Sequence, residues 1–375
     1  MAKNINDQPF DESTKLKLEI FGESFKEWFP VFINDPYTKE AYVFDFFAGS
    51  GKDLTNYSGS PLILLDKAKG DQKQFCNTIR KKIHFIFNEA LEDKYQELKK
   101  NVDNFIGDCK RNNNCRDCVF NIQVMKFEFQ EIFKDKQIQN ILNNKKIGKF
   151  VLLDQYGFKE INDIVFLQLI EFPKTDFIFF ISSSFIKRFK EHPNTKKYID
   201  TEKINFDLVK PNECHRIIAE YFKQLIPLDK EYYIHHFTIQ KEIYKGNFYG
   251  LIFGSNHTLG MEKFLKTCWK TDPFSGEANF NIDNNFENGT LFYNPITSNK
   301  KEQIKQKIKK EILNETIQDN ISGMKFSMQN GCEPKLFTEV IKELEKQKRI
   351  TRYGDINYSS TNIHKVKNYC IKLAK

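Results

Sequence analysis

Two short segments carry residue types that could act together on one ligand. The first, Phe44-Asp45-Phe46-Phe47-Ala48-Gly49-Ser50-Gly51, leaves an apolar run and enters an Asp-x-x-x-Gly-x-Gly turn. Glycines let a backbone pass close to a ligand and adopt positive φ. A helix after such a turn offers free N–H groups and the positive end of its dipole. The second, Asp154-Gln155-Tyr156-Gly157, ends the apolar run 149–153. A carboxylate that accepts hydrogen bonds from an aryl amine localises the amine's lone pair, and an aromatic ring stacks on an extruded base. Asp154 and Tyr156 can fill those catalytic roles. Bland readings stand beside both. The glycines fit a plain turn after a buried strand, and Asp154 fits the cap of a helix through 158–164.

Two further carboxylates fall where a nucleoside would need them. Glu89, just beyond a second apolar run, is placed to accept hydrogen bonds from ribose hydroxyls. Glu128, beyond a third, can hold an adenine amine or be a surface glutamate. The Ala48-Gly49-Ser50-Gly51 form resembles the loop of amino-methyltransferases more than a dinucleotide G-x-G-x-x-G. That resemblance implies S-adenosylmethionine as cofactor, held by Asp45, Ala48, Gly49, Ser50, Gly51, Glu89 and Glu128. Methyltransferases acting on base amines carry Asp/Asn-Pro-Pro-Tyr/Phe where this chain has Asp154 to Gly157. Gln155 therefore replaces a proline, and the aromatic residue stands one place earlier.

These elements alternate as strand and helix, which implies a mostly parallel sheet covered on both faces. Strands are expected at 41–46, 83–87, 122–125, 149–153 and 176–181. Helices are expected at 14–29, 91–104, 161–170 and 211–226. Ligand sites in such sheets lie at the carboxyl ends of strands, where Asp45 to Gly51, Glu89, Glu128 and Asp154 to Gly157 all fall. Segments 232–241 and 247–253, joined by Tyr244-Lys245-Gly246, read as an antiparallel hairpin. From 300 the composition shifts to charged helices at 301–315 and 334–346. A hairpin at 350–358 with a tight Gly354-Asp355 turn follows, a winged-helix pattern. The expected fold is α/β: a Rossmann-like class I methyltransferase sheet over 1–275 with an insertion at 105–120. A linker at 276–299 and a winged-helix-like domain at 300–375 complete it.

The chain resembles the three-Cys-motif partner (TcmP) family. The likeness rests on Thr14-Lys15-Leu16 with Trp28, the Phe44 to Gly51 loop, Gly59-Ser60-Pro61-Leu62, Phe85 to Glu89, Leu153 to Gly157 and Leu251 to His257. The family typically has Asp-Pro-Tyr/Phe-Gly, so Gln155 departs here too. The resemblance implies a methyltransferase-like fold and a second, three-Cys-motif protein as partner. Resemblance of this kind carries fold further than chemistry.

The insertion holds Cys109-x5-Cys115-x2-Cys118. Three cysteines with a C-x2-C pair suggest zinc, whose fourth ligand would be Cys76 or His84. The alternatives are a solvated loop with incidental thiols, or redox-sensitive thiols beside Arg111 and Arg116. His235 and His236 read as strand histidines, only one of which can face a site. The run Lys187 to Lys190 could meet phosphates or be a solvated helix face. Lys335, Lys342, Lys346, Lys348, Arg349 and Arg352 could serve nucleic acid or protein docking.

Composition excludes more than it selects. The 375 residues include 37 phenylalanines and carry a net charge of +8, which permits a polyanion without demanding one. The phenylalanine, lysine and asparagine bias fits AT-rich codons, so the lysine excess says little about nucleic acid. No apolar run is long enough to span a bilayer. The polar start without a signal core, with eight scattered cysteines, implies reduced thiols in cytoplasm. No serine elbow, Walker A loop or HExxH motif occurs. The reading is a cytoplasmic S-adenosylmethionine-dependent methyltransferase acting on a nucleic-acid amine such as adenine N6, in a modification or anti-phage defence setting. Its rival is a methyltransferase-like sensor or scaffold that binds nucleic acid or nucleotide and docks a partner without transferring methyl groups.

Overall fold

The computed structural model describes residues 8–70, 76, 79–113, 117–207, 209–241, 246–283, 299–354, 363–364 and 367–374. In chain order the elements begin with α1 (Glu12–Asn34), β1 (Glu40–Asp45), α2 (Ser60–Lys69), β2 (Lys82–Asn88), α3 (Glu92–Asn113) and β3 (Phe120–Met125). Next come α4 (Phe129–Lys134), α5 (Lys136–Leu142), β4 (Ile147–Leu153), α6 (Asp163–Glu171), β5 (Thr175–Ile181), α7 (Ser183–Arg188) and α8 (Pro193–Lys196). Then follow α9 (Cys214–Gln224), β6 (Tyr233–Gln240), β7 (Phe248–Ser255) and α10 (Thr258–Thr271). The last are α11 (Lys300–Leu313), α12 (Asn320–Gln329), α13 (Lys335–Lys346), β8 (Ile350–Gly354) and β9 (Tyr369–Leu373).

Seven strands form one sheet in the order β3-β2-β1-β4-β5-β7-β6. Strands β1 to β5 pair in parallel, and β7 joins β5 antiparallel. This is the expected Rossmann-like class I methyltransferase sheet. Burial follows position. Every residue of central β4 is buried, whereas edge strand β3 alternates, as strands covered on two faces and at an edge should. The strand order reverses between β1 and β4, the switch point where ligands enter open α/β sheets.

Helix α1 covers one face. The Phe25 ring centroid lies 5.5 Å from Phe150 and 6.2 Å from Phe85, and Trp28 lies 5.3 Å from Phe150. Gly148 permits this approach, since a Cβ there would come within 2.0 Å of Phe32. Several elements differ from the sequence reading, three of them long helices. Helix α3 runs on through Cys109 to Asn113, so the first part of the expected 105–120 insertion is helical. Helix α10 was not expected, although Met261, Phe264, Leu265 and Cys268 bury one helical face. Helix α12 was not expected either. It buries Asn320, Gly323 and Ser327 beside Met324 and Met328, a face with little apolar contrast.

The chain divides into two compact units, Met1–Tyr232 with Thr238–Asn256, and Tyr233–Phe237 with His257–Lys375. The sequence had set its boundary after 275. The start of the expected linker is packed: Glu277 is buried and bonded to Lys300. Residues 284–298 of that linker lie outside the described residues. Within the second unit, α11 to α13 bury Ile304, Ile308, Ile312, Phe337, Val340 and Ile341. The tight Gly354-Asp355 hairpin is corrected. Strand β8 pairs antiparallel with β9, Ile350 opposite Leu373, so the connection is longer, and Asp355 lies outside the described residues. No described helix is long and apolar enough to cross a membrane.

Candidate functional site

The loop after β1 is shaped by its backbone. Gly49 and Gly51 have φ of 60° and 79°, values that side chains rarely tolerate. A Cβ on Gly51 would also sit 3.1 Å from Leu98 of α3. Ala48 N–H donates to the Asn88 carbonyl at 2.9 Å, and Gly59 N–H donates to the Gly51 carbonyl at 2.8 Å. Asn101 Nδ2 donates to the Ser50 carbonyl at 2.8 Å. Helix α2 then begins after Gly59 with no side-chain cap on its first N–H groups. The result is an open glycine turn beside an uncapped helix start, a shape that fits an anionic group and a sugar.

Asp45 supports this loop from beneath. It is fully buried and accepts from the Ser60 hydroxyl at 2.6 Å and from the Phe47 N–H at 3.2 Å. Burial pushes its carboxyl up to about 7. The neighbouring Asp154 and Glu89 carboxylates push the same way, against the Ser60 and Phe47 donors. Glu89 and Asp154 thus lie in the electrostatic neighbourhood of Asp45.

Glu89 follows β2, and its Oε1 accepts from Leu91 N–H at 2.8 Å. The residue before it, Asn88, does more than the sequence suggested. Its Nδ2 donates to the carbonyls of Phe46 and Phe127, and its Oδ1 accepts from Phe127 N–H at 3.1 Å. It ties the ends of β1, β2 and β3 together. Glu128 is exposed at the start of α4, where its N–H donates to Glu131 Oε2 at 3.3 Å.

Asp154 follows β4 and is paired. Lys17 Nζ of α1 lies 2.7 Å from each of its oxygens, with the ammonium 4.8 Å from the Phe180 ring centroid. Gln155 is buried and fully engaged. Its Nε2 donates to the Phe180 carbonyl at 3.1 Å, and its Oε1 accepts from Glu160 and Ile161 N–H at 2.9 and 3.1 Å. The departure from proline is thus a clamp that fastens the loop to the end of β5. Gly157 has φ of 90°, and Tyr156 between them is 71% exposed, open for stacking.

The start of α1 crosses this edge. Asp11 caps the helix by accepting from Thr14 N–H at 2.8 Å, and Phe10 N–H donates to Asp53 in the loop after β1 at 2.7 Å. The segment from Phe10 to Lys17 therefore links the β1 loop to the β4 loop. Nothing in the sequence singled out Lys17, one lysine among many. Asn88 left a fainter mark, as a polar residue closing the apolar run 83–87.

Other candidates are accounted for by ordinary contacts. Lys187 bonds the Val209 carbonyl, Arg188 donates to Asn247 at 3.0 Å and Lys190 pairs with Asp207 at 2.7 Å, contacts of an ordinary solvated helix face. Arg352 is held by both oxygens of Glu345 and is buried. His235 and His236 are both buried strand residues. His84 stacks on Tyr42 at 4.2 Å and faces Glu40. Among the described residues no group of three or more His, Cys, Asp or Glu would by itself hold a metal ion, and Cys115 lies outside them.

No protein-family model matches the sequence, and no curated protein matches it. The TcmP resemblance therefore stands on its motifs alone. Among solved structures the chain is similar to a proposed O-methyltransferase from Klebsiella pneumoniae at 10% identity, covering 66% of this chain and 90% of that one, with a TM-score of 0.30. It is also similar to a precorrin-6y C5,15-methyltransferase from Geobacter metallireducens GS-15 at 11% identity, covering 67% and 95%, with a TM-score of 0.29. Likeness at this level carries nothing about activity. The fold rests on the strand order and register.

Proposed function

We propose that the chain is an S-adenosylmethionine-dependent methyltransferase acting on an exocyclic amine, adenine N6, of a nucleic acid. The observation that supports this reading is that the open glycine turn and Asp154 follow the neighbouring parallel strands β1 and β4 at the switch point, with Glu89 after β2 on the other side of β1. S-adenosylmethionine bound there would supply an electrophilic methyl group. Gly49, Ser50 and Gly51 would cradle the ligand, with Ala48 anchored behind them and Asp45 holding the turn through Ser60. Glu89 would accept from ribose hydroxyls and Glu128 from the adenine amine. Asp154 would accept from the substrate amine, raising the nucleophilicity of its lone pair and directing it at the methyl carbon. Tyr156 would stack on the base. Lys17 would hold Asp154 in orientation.

One observation favours the rival. Lys17 reaches both oxygens of Asp154, which suits a sensor that binds nucleotide or nucleic acid and docks a partner, such as a three-Cys-motif protein, without transfer. Tritium transfer from labelled S-adenosylmethionine to mixed RNA and DNA separates the two. The enzyme reading expects label in adenine, lost in Asp154→Ala. Label that persists in that variant removes Asp154 from the mechanism. Bound cofactor without any transfer supports the sensor.

A further inference from the structure

The loops after β4 and β5 carry a row of aromatic rings at the carboxyl edge of the sheet. Helix α7 follows β5 directly and is fastened along its inner side. Ile186 is fully buried, Ser183 Oγ lies 2.6 Å from His215 Nδ1, and Phe248 N–H donates to Ser184 Oγ at 2.6 Å. This leaves Phe185 and Phe189, four residues apart on one side, with 43% and 38% of their surfaces exposed. Their ring centroids lie 4.5 Å apart. Phe158 of the β4 loop continues the row, 5.5 Å from Phe185 and 6.3 Å from Tyr198. Ser182 N–H donates to the Gly157 carbonyl at 3.3 Å, so the exposed Tyr156 shares this corner of the fold. Among the described residues four phenylalanines are exposed, and two of them form this pair. The pair is therefore not the overflow of a phenylalanine-rich composition.

We propose that Phe185 and Phe189 form a stacking platform for the bases that flank the target base in a single-stranded nucleic acid. The inference rests on reading Asp154 and Tyr156 as the site of a base. An exposed ring stacks on any unpaired base, because every base has a π-face. Bases in a duplex are stacked on one another and present only their edges. Charge selects a polyanion over an apolar protein surface. Lys159 follows Phe158 and Lys197 precedes Tyr198, both exposed, with the Lys197 ammonium 5.6 Å from the Tyr198 ring centroid. From Ser183 to Lys203 six lysines and arginines outnumber three acidic residues. Lys187, Arg188 and Lys190 have partners within the chain, so the phosphate contacts fall to Lys159 and Lys197. Strand order sets the direction of approach. The glycine turn follows β1 and the platform follows β5, with β4 between them, so cofactor and strand would reach Asp154 from opposite sides.

The test is fluorescence anisotropy with the full chain, in the absence of S-adenosylmethionine. The probes are labelled single-stranded RNA and DNA of about 16 nucleotides, an abasic strand of equal phosphate count, and the duplex. Base-bearing single strands should bind at least about tenfold more tightly than the abasic strand or the duplex, a comparison that needs no variant to fold. The tighter of the RNA and DNA arms names the strand. Phe185→Ala and Phe189→Ala should each weaken the base-bearing strand by about tenfold and leave the abasic strand unchanged. Phe189→Trp, which keeps a ring face, should hold wild-type affinity, as should Phe274→Ala in the second unit. Equal affinity for base-bearing and abasic strands, a preference for duplex, or full affinity in the double Phe185→Ala/Phe189→Ala variant overturns the platform. No binding of any strand at about 100 micromolar protein overturns it as well and returns the row to a protein partner. The methyl-transfer reading fails separately. Strand binding through the two rings with no label transferred keeps the platform and removes the enzyme. Label transferred with an unchanged KM for the strand in the double variant keeps the enzyme and removes the platform.

Discussion

The loops after β1 and β4 flank the same switch point and are built in opposite ways. The first takes its shape from backbone: two glycines at positive φ, carbonyl contacts across to Asn88 and Gly59, and a carboxylate hidden underneath. The second takes its shape from one side chain, with Gln155 spending both ends of its amide on the chain around it. A glycine-built loop announces itself in sequence because few other residues can replace it. A clamp-built loop does not, because the partners of an amide are known only once the chain is folded. Gln155 looked like damage to an Asp-Pro motif, and it is the fastening that presents Tyr156.

Substitutions that strike one loop and spare the other test this contrast. The largest effect should come from the carboxylate under the first loop. The folded-state pKa of Asp45 is about 7 against an ordinary 3.8. Its contribution to stability is therefore fully present below that ordinary value and lost as pH rises through about 7. Asp45→Asn should gain on wild type between pH 5 and 8, by an amount on the order of several kcal/mol, read from urea midpoints. A difference that stays flat with pH would contradict the buried carboxylate.

Gln155→Ala should cost about 3 kcal/mol, since it leaves buried donors and an acceptor without partners. Cofactor affinity should hold while transfer falls. An equal loss of affinity would merge the two loops into one unit and break the comparison. Gly51→Ala should cost about 2 kcal/mol, from positive φ and contact with Leu98, and should fall mainly on cofactor affinity in calorimetry. Glu128→Ala should be smallest, weakening cofactor binding by about 1 kcal/mol with the urea midpoint nearly unchanged. Lost stability with unchanged affinity would return Glu128 to the role of a helix start.

Much of this arrangement could be read in the residues. Apolar runs located β1 to β5, and with them the carboxyl ends of the strands, where Asp45 closes β1, Glu89 follows β2 and Asp154 follows β4. What escaped was whatever depends on tertiary partners. Lys17 belongs to an amphipathic helix whose apolar face was clear, but nothing in its neighbours points to Asp154. The intramolecular partners of the basic run, Val209 for Lys187 and Asn247 for Arg188, lie far off in the chain and left no mark in its sequence. The small polar residues on the buried face of α12 itself leave it without the hydrophobic periodicity that marks a helix in sequence.

The central claim is that the turn at Gly49 and Gly51 holds a cofactor, and titration calorimetry of the full chain with S-adenosylmethionine and S-adenosylhomocysteine tests it most directly. Saturable one-to-one binding of both, weakened at least tenfold (about 1.4 kcal/mol) by Gly51→Ala, is the predicted result. No binding of either at millimolar ligand, by a chain that unfolds cooperatively in urea, would contradict it.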